Sequence, residues 1–450
     1  MYFSLLINIT KMRFILAVAM MGLLITSCQQ PDYKKFTSDP LLYCKTVKQL
    51  NNVVLENNFP PMIASRNYVY ANIAAYEVMV LGDNRFQSLA GQIKHLPAFP
   101  GFDTTGADLQ YASLLAFCKA GEAVTFPEGS MQQYVDQLDS MASVAHMSSA
   151  MKKASRKVAD SVANHILRWS KKDNYLQLRT APKYTVTEEE GRWTPTPPMY
   201  AQAIEPHWME IRTMVMDSAS QFRSVPPPVY NIKNKNSEYY RYLTEVKTVG
   251  DSLTDEQKHI AEFWDDNPFK MNVTGHVMFA TKKFSPPGHW MNIVGIGAQK
   301  AGVDFATTVA AYTETAIALY DAFISCWDEK FRSNCVRPET VINKYVASDW
   351  QPYIQTPPFP SHTSGHATIS AAAAEVMTYW FGDKLTFTDT SSLEFGIKSR
   401  EIKSFRLAAK EAAMSRLYGG IHYRFDNDHG NEAGIKIGLY VLERLKLKIN

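Results

Sequence analysis

Long stretches in which apolar residues recur every three or four positions constrain the fold of this chain more than any other feature of its sequence. Such stretches occur throughout the 450 residues, at 66–81, 107–124, 151–170, 256–264, 303–331, 365–381, 403–418 and 431–445. The apolar–polar alternation that is typical of half-buried strands is scarce, and there is no sustained repeat. The sequence therefore predicts an all-α fold of helical bundles.

A region rich in proline and tyrosine, residues 180–235, separates two helical parts of the chain. It contains TPTPPMY and SVPPPVYN, and proline both removes a backbone donor and disfavours regular helix. We therefore predict irregular structure there. The predicted division is an N-terminal helical region over 29–240 and a catalytic helical domain over 241–450.

The first 28 residues have the pattern of a bacterial export signal. Lys11 and Arg13 precede the apolar run FILAVAMMGLLI, which is too short to span a bilayer comfortably. The run ends in LITSC, which resembles a lipobox, so we expect Cys28 to be lipidated and to become the mature N-terminus. The alternative is an ordinary secretory signal with an incidental cysteine. With a lipobox, the protein is exported to the cell envelope and anchored to a membrane, in the periplasm or at the outer membrane.

The charge balance and the cysteine spacing exclude some classes of partner. Lys and Arg number 47 against 44 Asp and Glu, and a formal net charge of +3 gives no basic field for nucleic acid. A bound anion must then be held by local charge. The remaining cysteines show no disulfide framework, so we expect four structural thiols and no thiolate metal site. They are Cys44, Cys118, Cys326 and Cys335.

Three polar clusters interrupt the apolar helices of the second half, and the first is WDEKFRSNCVRP at 327–338. Lys330 and Arg337 are seven residues apart, which is two helical turns, so the spacing predicts one shared helical face ended by Pro338. Two cations that face a core require an anion. The alternative is a solvated basic face that also includes Arg332.

The second cluster is PPFPSHTSGHATIS at 357–370. Ser364 is a suitable N-cap, Gly365 lets a ligand approach the backbone, and a helix N-terminus attracts oxyanions. His366 lies in the first turn, where it could exchange a proton with a bound oxygen. The alternative is a plain cap with an incidental histidine. His362 and His366 have the spacing of a zinc pair, but the prolines and Ser364-Gly365 argue against a helix across them.

The third cluster is SRLYGGIHYRFDNDHG at 415–430. Arg416 ends a helix that two glycines break, and His422 follows on a short connection. Asp426 lies four residues after His422, and an aspartate near a histidine fixes its tautomer and raises its basicity. The alternative is a surface loop of helix-capping groups.

Taken together, the three clusters resemble the signature motifs of one superfamily. It unites vanadium-dependent haloperoxidases with type 2 phosphatidic acid phosphatases and bacterial acid phosphatases. The resemblance covers about residues 255–450 and is closer to the haloperoxidases, through DAFISCWDEK, PPGHW, PPFP and HYRFD. Thr363 stands where a proline is usual, and Ser361-His362 is not the usual pair, which leaves the halide preference open.

The resemblance implies a helical bundle around a bound vanadate, with phosphate able to occupy the same place. It implies that the oxyanion is bound by Lys330, Arg337, Ser364, Gly365 and Arg416. His422 would coordinate vanadium, His366 would assist proton transfer, and Asp426 would orient His422. Lys330 would also polarise bound peroxide, and Trp327 and Phe359 match positions that line the halide pocket in chloride-oxidising members.

Three functions are compatible with these residues. The first is a haloperoxidase that oxidises halide with hydrogen peroxide. The second is an acid or lipid phosphatase that hydrolyses phosphate esters through a phosphohistidine at His422, with His366 protonating the leaving group. The third is an inactive lipoprotein that uses the bundle for binding. The sequence does not indicate an oligomeric state.

Overall fold

The computed structural model describes residues 32–268, 270–274, 277–281 and 283–449. The predicted export segment, including Cys28, lies outside the described residues. Among the described helices, none combines the length and the apolar character that crossing a bilayer requires. The four cysteines beyond Cys28 are free thiols.

Helices make up most of the described structure, and the prediction of an all-α fold is confirmed. The first half contains α1 (Asp32–Thr37), α2 (Pro40–Glu56), α3 (Pro61–Val80), α4 (Leu109–Ala123), α5 (Gln132–Val144), α6 (Ser149–Ser170) and α7 (Tyr175–Leu178). The second half contains α8 (Glu238–Asp251), α9 (Asp255–Phe263), α10 (Pro286–Ala301), α11 (Phe305–Ser333), α12 (Pro338–Tyr345), α13 (Gly365–Phe381), α14 (Phe405–Tyr418) and α15 (Arg424–Arg444).

Extended structure is limited to two small antiparallel sheets in the described ranges. Strand β1 (Lys270–Thr274) pairs with β2 (Val277–Thr281), and β3 (Phe387–Asp389) pairs with β4 (Arg400–Ile402). In the second sheet, Asp389 lies opposite Arg400. Short 3₁₀ turns occur at Trp208–Glu210 and Leu393–Phe395.

Helix α11 lies at the centre of the molecule and is buried along most of its 29 residues. It packs against α3 from the first half and against α13 from the second. Thr313 on α11 donates a hydrogen bond to the carbonyl oxygen of Asn72 (3.2 Å). One hydrophobic cluster extends from Leu42 to Leu447 and includes side chains from both halves. The predicted division into domains at 240/241 stays a prediction.

Helix α11 extends two residues past the predicted run at 303–331, but it does not continue to Pro338 as the first cluster was predicted to do. Asn334 adopts a left-handed conformation (φ +47°), which asparagine tolerates well, and α11 therefore stops at Ser333. Pro338 then begins the next helix instead of ending this one, because proline fits the first turn of a helix. The prediction that Lys330 and Arg337 share one helical face is wrong, since Arg337 is the extended residue directly before α12.

The prediction of irregular structure over 180–235 is confirmed, with one 3₁₀ turn. This segment is nevertheless held firmly against the second half. The backbone N–H of Trp193 donates to the carbonyl of Asn334 (3.0 Å). Buried Asp321 on α11 accepts three backbone N–H bonds, from Met214–Met216, at 2.7, 2.9 and 3.1 Å. Such bonds replace the hydrogen bonds that an irregular backbone lacks.

Helices α13 and α15 approach closely because three glycines spaced four apart on α15 face α13. A Cβ atom on Gly434 would lie 2.1 Å from the carbonyl oxygen of Thr368, and one on Gly438 would lie 2.7 Å from that of Ala372. The third glycine is Gly430. This contact brings together the N-terminal ends of the two helices, where polar side chains converge.

Candidate active site

His422 lies on the connection between α14 and α15, and its ring is fixed in one orientation. Its Nδ1 is 3.0 Å from Asp426 Oδ2, and its Nε2 is 3.1 Å from Arg337 Nη1. Nδ1 therefore donates to the carboxylate, and Nε2 keeps its lone pair. Burial and the neighbouring Arg337 lower the pKa of His422 well below its ordinary value. The ring is neutral and has one basic nitrogen.

The carboxylate of Asp426 accepts hydrogen bonds from four donors and is fully buried. The donors are Ser361 Oγ (2.5 Å), His362 Nδ1 (3.2 Å), His422 Nδ1 (3.0 Å) and Tyr423 N (3.1 Å). Burial alone would raise the pKa of Asp426, but the bonds from His362 and His422 lower it. Asp426 is therefore ionised and anchors His422.

Ser361 and His362 were not predicted as site residues. The sequence showed both as a departure from the family pattern just before Ser364, and showed His362 also as half of a zinc-spaced pair that was set aside. Both contact Asp426 because the segment 360–363 runs beside the first turn of α15: the N–H of Ser364 donates to the carbonyl of Asp426 (2.9 Å). The departure itself was the signal that could have identified them.

The side chain of Arg337 is completely buried, and only some of its guanidinium N–H groups have hydrogen-bond acceptors. Its Nε donates to the carbonyl of Phe359 (2.9 Å) and its Nη1 to that of Ile421 (2.7 Å). Its Nη2 has no hydrogen-bond partner among the described residues. Burial lowers the pKa of Arg337 to about 10, so the side chain is still charged at neutral pH. A buried cationic N–H without an acceptor is costly, and an anion would satisfy it.

Arg416, in the last turn of α14, is the second buried guanidinium of the site. Its Nε donates to Ser415 Oγ (2.9 Å), and its Nη2 donates to the carbonyl of Trp264. Burial lowers the pKa of Arg416, and Asp265 and Asp266 oppose that effect. Aspartates in the loop after α9 therefore balance its charge.

Lys330 is completely buried and uses its ammonium group to hold the loop before α13. Its Nζ donates to the carbonyl oxygens of Pro360 (2.8 Å), Ser361 (3.0 Å) and Thr363 (2.5 Å). Burial lowers the pKa of Lys330 to about 8. Three acceptors satisfy all three N–H bonds of an ammonium, so Lys330 lies behind the loop and outside the lining of the cavity described below.

The beginning of α13 presents the predicted N-cap, the open glycine and the histidine. Ser364 Oγ accepts from the N–H of Ala367 (3.3 Å). A Cβ atom on Gly365 would meet nothing nearer than the Trp327 ring at 3.9 Å, so the backbone there is open to a ligand. His366 Nε2 is buried, has no hydrogen-bond partner in the described part of the chain, and lies 3.7 Å from Asp266 Oδ2. Burial, followed by the charge of Arg416, lowers the pKa of His366 to about 4.

Some of these groups line a cavity of about 50 Å³, whereas Lys330, Arg337 and Ser364, which were predicted to bind the oxyanion, are not among its lining residues. A cavity needs roughly 10–15 Å³ of such volume to hold one water molecule. This cavity therefore has room for a small oxyanion with one or two further atoms. Its polar wall includes Gly365, His366, Arg416 and His422. Its apolar wall includes Ile204, Phe323, Trp327, Pro357, Pro358 and Phe359. The ring centres of Trp327 and Phe359, which were predicted to line a halide pocket, are 5.1 Å apart.

The arrangement combines cationic donors, an open helix N-terminus and a neutral imidazole. Such a site can bind a tetrahedral oxyanion, and the lone pair of His422 Nε2 can form a bond to its central atom. His366 is neutral at neutral pH and can accept a proton from a bound oxygen. Asp266, beside His366, was not predicted, because the pair Asp265-Asp266 after α9 belongs to no recognisable motif.

Known proteins match this chain in sequence and in fold. A family model described as the VCPO second helical-bundle domain matches residues 310–450. The structure described as the first bacterial vanadium-dependent iodoperoxidase is 41% identical, with a TM-score of 0.86, and the match covers 91% of this chain and 98% of that chain. A comparison with curated proteins finds no match.

Two structures of a bacterial vanadium-dependent chloroperoxidase share the fold at lower identity. The holo form is 18% identical with a TM-score of 0.63, and the match covers 86% of this chain and 93% of that chain. The apo form is 17% identical with a TM-score of 0.64, and the match covers 86% and 95%.

Proposed function

This chain belongs to the family of vanadium-dependent haloperoxidases, and we propose that it oxidises a halide with hydrogen peroxide at a vanadate bound in the cavity beside His422. The observation that carries the proposal is the state of that histidine. Its Nδ1 is held by Asp426 (3.0 Å), so the basic nitrogen of its neutral ring is Nε2, which accepts from Arg337 Nη1 (3.1 Å) and would exchange that hydrogen bond for vanadium.

The residues present fit a vanadate. The unpaired Nη2 of Arg337 provides a buried cationic donor, and the space beside Gly365 lets an oxyanion reach the backbone. Arg416 adds a second charge, and Ser364 adds a hydroxyl at the N-terminus of α13. Vanadate would be coordinated by His422 Nε2 and held through its oxygens by these groups.

When bound, vanadate activates hydrogen peroxide for attack by halide without changing its own oxidation state. The side chains of this chain provide the binding and the proton transfer around it. His366 is neutral above about pH 4, so it can take a proton from incoming peroxide and return it to a departing oxygen. Lys330 is positively charged at neutral pH and places that charge behind the loop at 360–363. Because three carbonyls occupy its ammonium, Lys330 would act on the site by holding this loop and by its charge at a distance.

The halide that we propose is iodide. The relative that is 41% identical over 91% of this chain is named an iodoperoxidase. Chloride, the most strongly hydrated of the three common halides, should be the poorest substrate.

A paired assay of the purified protein tests this function. We expect iodide oxidation that requires both vanadate and hydrogen peroxide, with a lower rate for bromide and the lowest for chloride. The second arm measures hydrolysis of a phosphate monoester without vanadate. Ester hydrolysis without any halide oxidation would overturn the proposal in favour of a phosphatase, and inactivity in both arms would favour a binding protein.

Two variants in the same assay separate the roles of the histidines. His422→Ala should lose both vanadate binding and turnover, because it removes the bond to the central atom. His366→Ala should still bind vanadate but lose roughly 10²–10⁴-fold in turnover, as expected for a lost acid–base group. If His366→Ala abolishes binding while His422→Ala keeps it, the two assignments are reversed.

Export and lipid anchoring through Cys28 are a separate proposal. The support is the sequence alone: a charged segment, an apolar run and LITSC. Mass spectrometry of the mature protein from a bacterial membrane fraction should show an N-terminus at Cys28 that carries acyl chains. A mature chain that begins at another residue would remove the anchor from the proposal and leave the active site unaffected.

A further inference from the structure

A buried imidazole between two carboxylates lies behind the active site. His289, in the first turn of α10, has no exposed surface. Its Nδ1 is 2.9 Å from Asp266 Oδ1, and its Nε2 is 2.9 Å from Asp389 Oδ2. Asp389, at the end of β3, also accepts from the N–H of Ser391 (2.9 Å). Elements from three parts of the chain therefore fix the position of one ring.

The geometry requires both ring nitrogens of His289 to donate, since each faces a carboxylate oxygen. Burial alone would lower the pKa of His289, but Asp266 and Asp389 raise it to about 10. The same contact helps to lower the pKa of Asp266, against the effect of burial. At neutral pH this is an imidazolium between two carboxylates, which is how a protein keeps buried charges stable.

Trp264 contacts both the ring of His289 and a residue of the active site. The indole stacks on the imidazole of His289, with ring centres 4.8 Å apart and planes inclined by 28°. The backbone carbonyl of the same Trp264 accepts a hydrogen bond from Arg416. Trp264 therefore contacts both His289 and a cation at the cavity wall.

Asp266 is the direct connection to the chemistry. Its Oδ1 is occupied by His289, which leaves Oδ2 as the atom that faces His366 Nε2 at 3.7 Å. That distance is too long for a hydrogen bond, but a shift of less than 1 Å would make one. An imidazolium at His366, formed when it takes a proton, would be stabilised by that approach.

We propose that His289 is a positioning residue for His366: it holds Asp266 so that one carboxylate oxygen is aimed at the histidine that transfers protons. The inference rests on the proposed function for the role of His366. The alternative is that His289 only stabilises the fold by joining α10 to the loop after α9 and to β3.

A double-mutant cycle distinguishes the two roles. His289→Gln should lower kcat for iodide oxidation about 10- to 100-fold, the range typical of supporting residues around a catalytic group, with KM and vanadate affinity little changed. In the Asp266→Asn background the same substitution should cost little more, because residues that act through one another are not additive. Independent, additive losses would overturn the proposal.

A second readout needs neither vanadate nor turnover. Nuclear magnetic resonance of protein with isotope-labelled histidine, free of vanadate, follows the titration of His366. The midpoint should shift in His289→Gln and should not shift further when His289→Gln is added to Asp266→Asn. An unchanged midpoint in His289→Gln would overturn the proposal even if the enzyme proved to have another activity.

Two further variants test whether the effect is specific to His289 and whether it can be measured if His289→Gln does not fold. His165→Gln replaces another buried histidine, whose Nε2 lies 3.2 Å from the carbonyl of Pro97, and should leave kcat and the His366 titration unchanged. If His289→Gln does not fold, Asp389→Asn keeps the imidazole and removes one of its carboxylates. Asp389→Asn should show a smaller loss of kcat than is expected for His289→Gln, together with a shifted His366 titration. Wild-type values for both quantities would overturn the proposal.

Discussion

Three buried carboxylates, Asp426, Asp321 and Glu314, differ in how many donors each one has, and among these three the pKa rises as the number of donors falls. Asp426 has four donors, and its pKa lies below the ordinary value. Asp321 has three backbone donors, and burial raises its pKa to about 6. Glu314 on α11 accepts one bond, from Trp380 Nε1 (2.7 Å), and burial raises its pKa to about 8. Each missing donor favours the neutral acid.

The raised pKa of Glu314 predicts that stability falls as pH rises. The folded protein holds this proton more tightly than the unfolded chain, whose ordinary value is 4.5. The contribution to the free energy of unfolding is complete below about pH 4.5, decreases above it and is lost once the pH passes about 8. The size is on the order of a few kcal/mol, since each pKa unit corresponds to about 1.4 kcal/mol.

Glu314→Gln tests this prediction, because the amide can still accept from Trp380 but cannot ionise. Urea unfolding at a series of pH values should show a shallower loss of stability between pH 5 and pH 8 in the variant than in the wild type. Glu443→Gln, at an exposed position on α15, is the control and should keep the wild-type slope. The idea fails if Glu314→Gln keeps that slope as well.

Among the secondary-structure elements, the pairing of α13 with α15 decides the geometry of the active site. One helix begins with Ser364, Gly365 and His366, and the other carries Asp426 in its first turn. Because glycines on α15 let the backbones approach, the N–H of Ser364 reaches the carbonyl of Asp426 (2.9 Å). A small displacement between the helices would move the oxyanion donors away from His422.

Gly434→Ala should therefore destabilise the protein, although alanine favours helices. Its higher helix propensity is worth about 1 kcal/mol, but the new Cβ would lie 2.1 Å from the carbonyl oxygen of Thr368, which cannot rotate away. Overpacking of this kind costs about 1–3 kcal/mol, so we expect a net loss of up to about 2 kcal/mol in urea unfolding and weaker vanadate binding. Gly101→Ala, where a Cβ would meet nothing within 4 Å, should be neutral. A Gly434→Ala variant as stable as Gly101→Ala would contradict this account.

In the whole molecule, the first half supports the site that the second half carries. Helix α11, which holds Lys330, packs against α3, and the two share one hydrophobic cluster. The irregular segment between the halves reaches the site directly: the carbonyl of Val225 is 3.0 Å from His362 Nε2, and Ile204 lines the cavity. The first half thus shapes a site whose motifs all lie in the second.

Much of this arrangement could be predicted from the sequence. The predicted helical runs were correct because the 3.6-residue spacing of apolar residues, which lets a helix bury one face, is a local property of the sequence. The run at 365–381, for example, matches α13 residue for residue. The family resemblance was correct because its three motifs are short and dense in charged and polar residues. Where a local backbone preference competed with the period, the prediction failed: Asn334 ended α11 before Arg337.

Other features were decided only by the tertiary structure. His289, Asp266 and Asp389 lie on different elements, and nothing local in the sequence marks them as partners; folding alone brings their side chains to 2.9 Å. Lys330 could be identified as a cation of the site, but only the packed loop shows that three carbonyls occupy its ammonium. The physical reason is that local sequence sets backbone preference and burial period, whereas hydrogen-bond partners and pKa values depend on groups brought together across the whole chain.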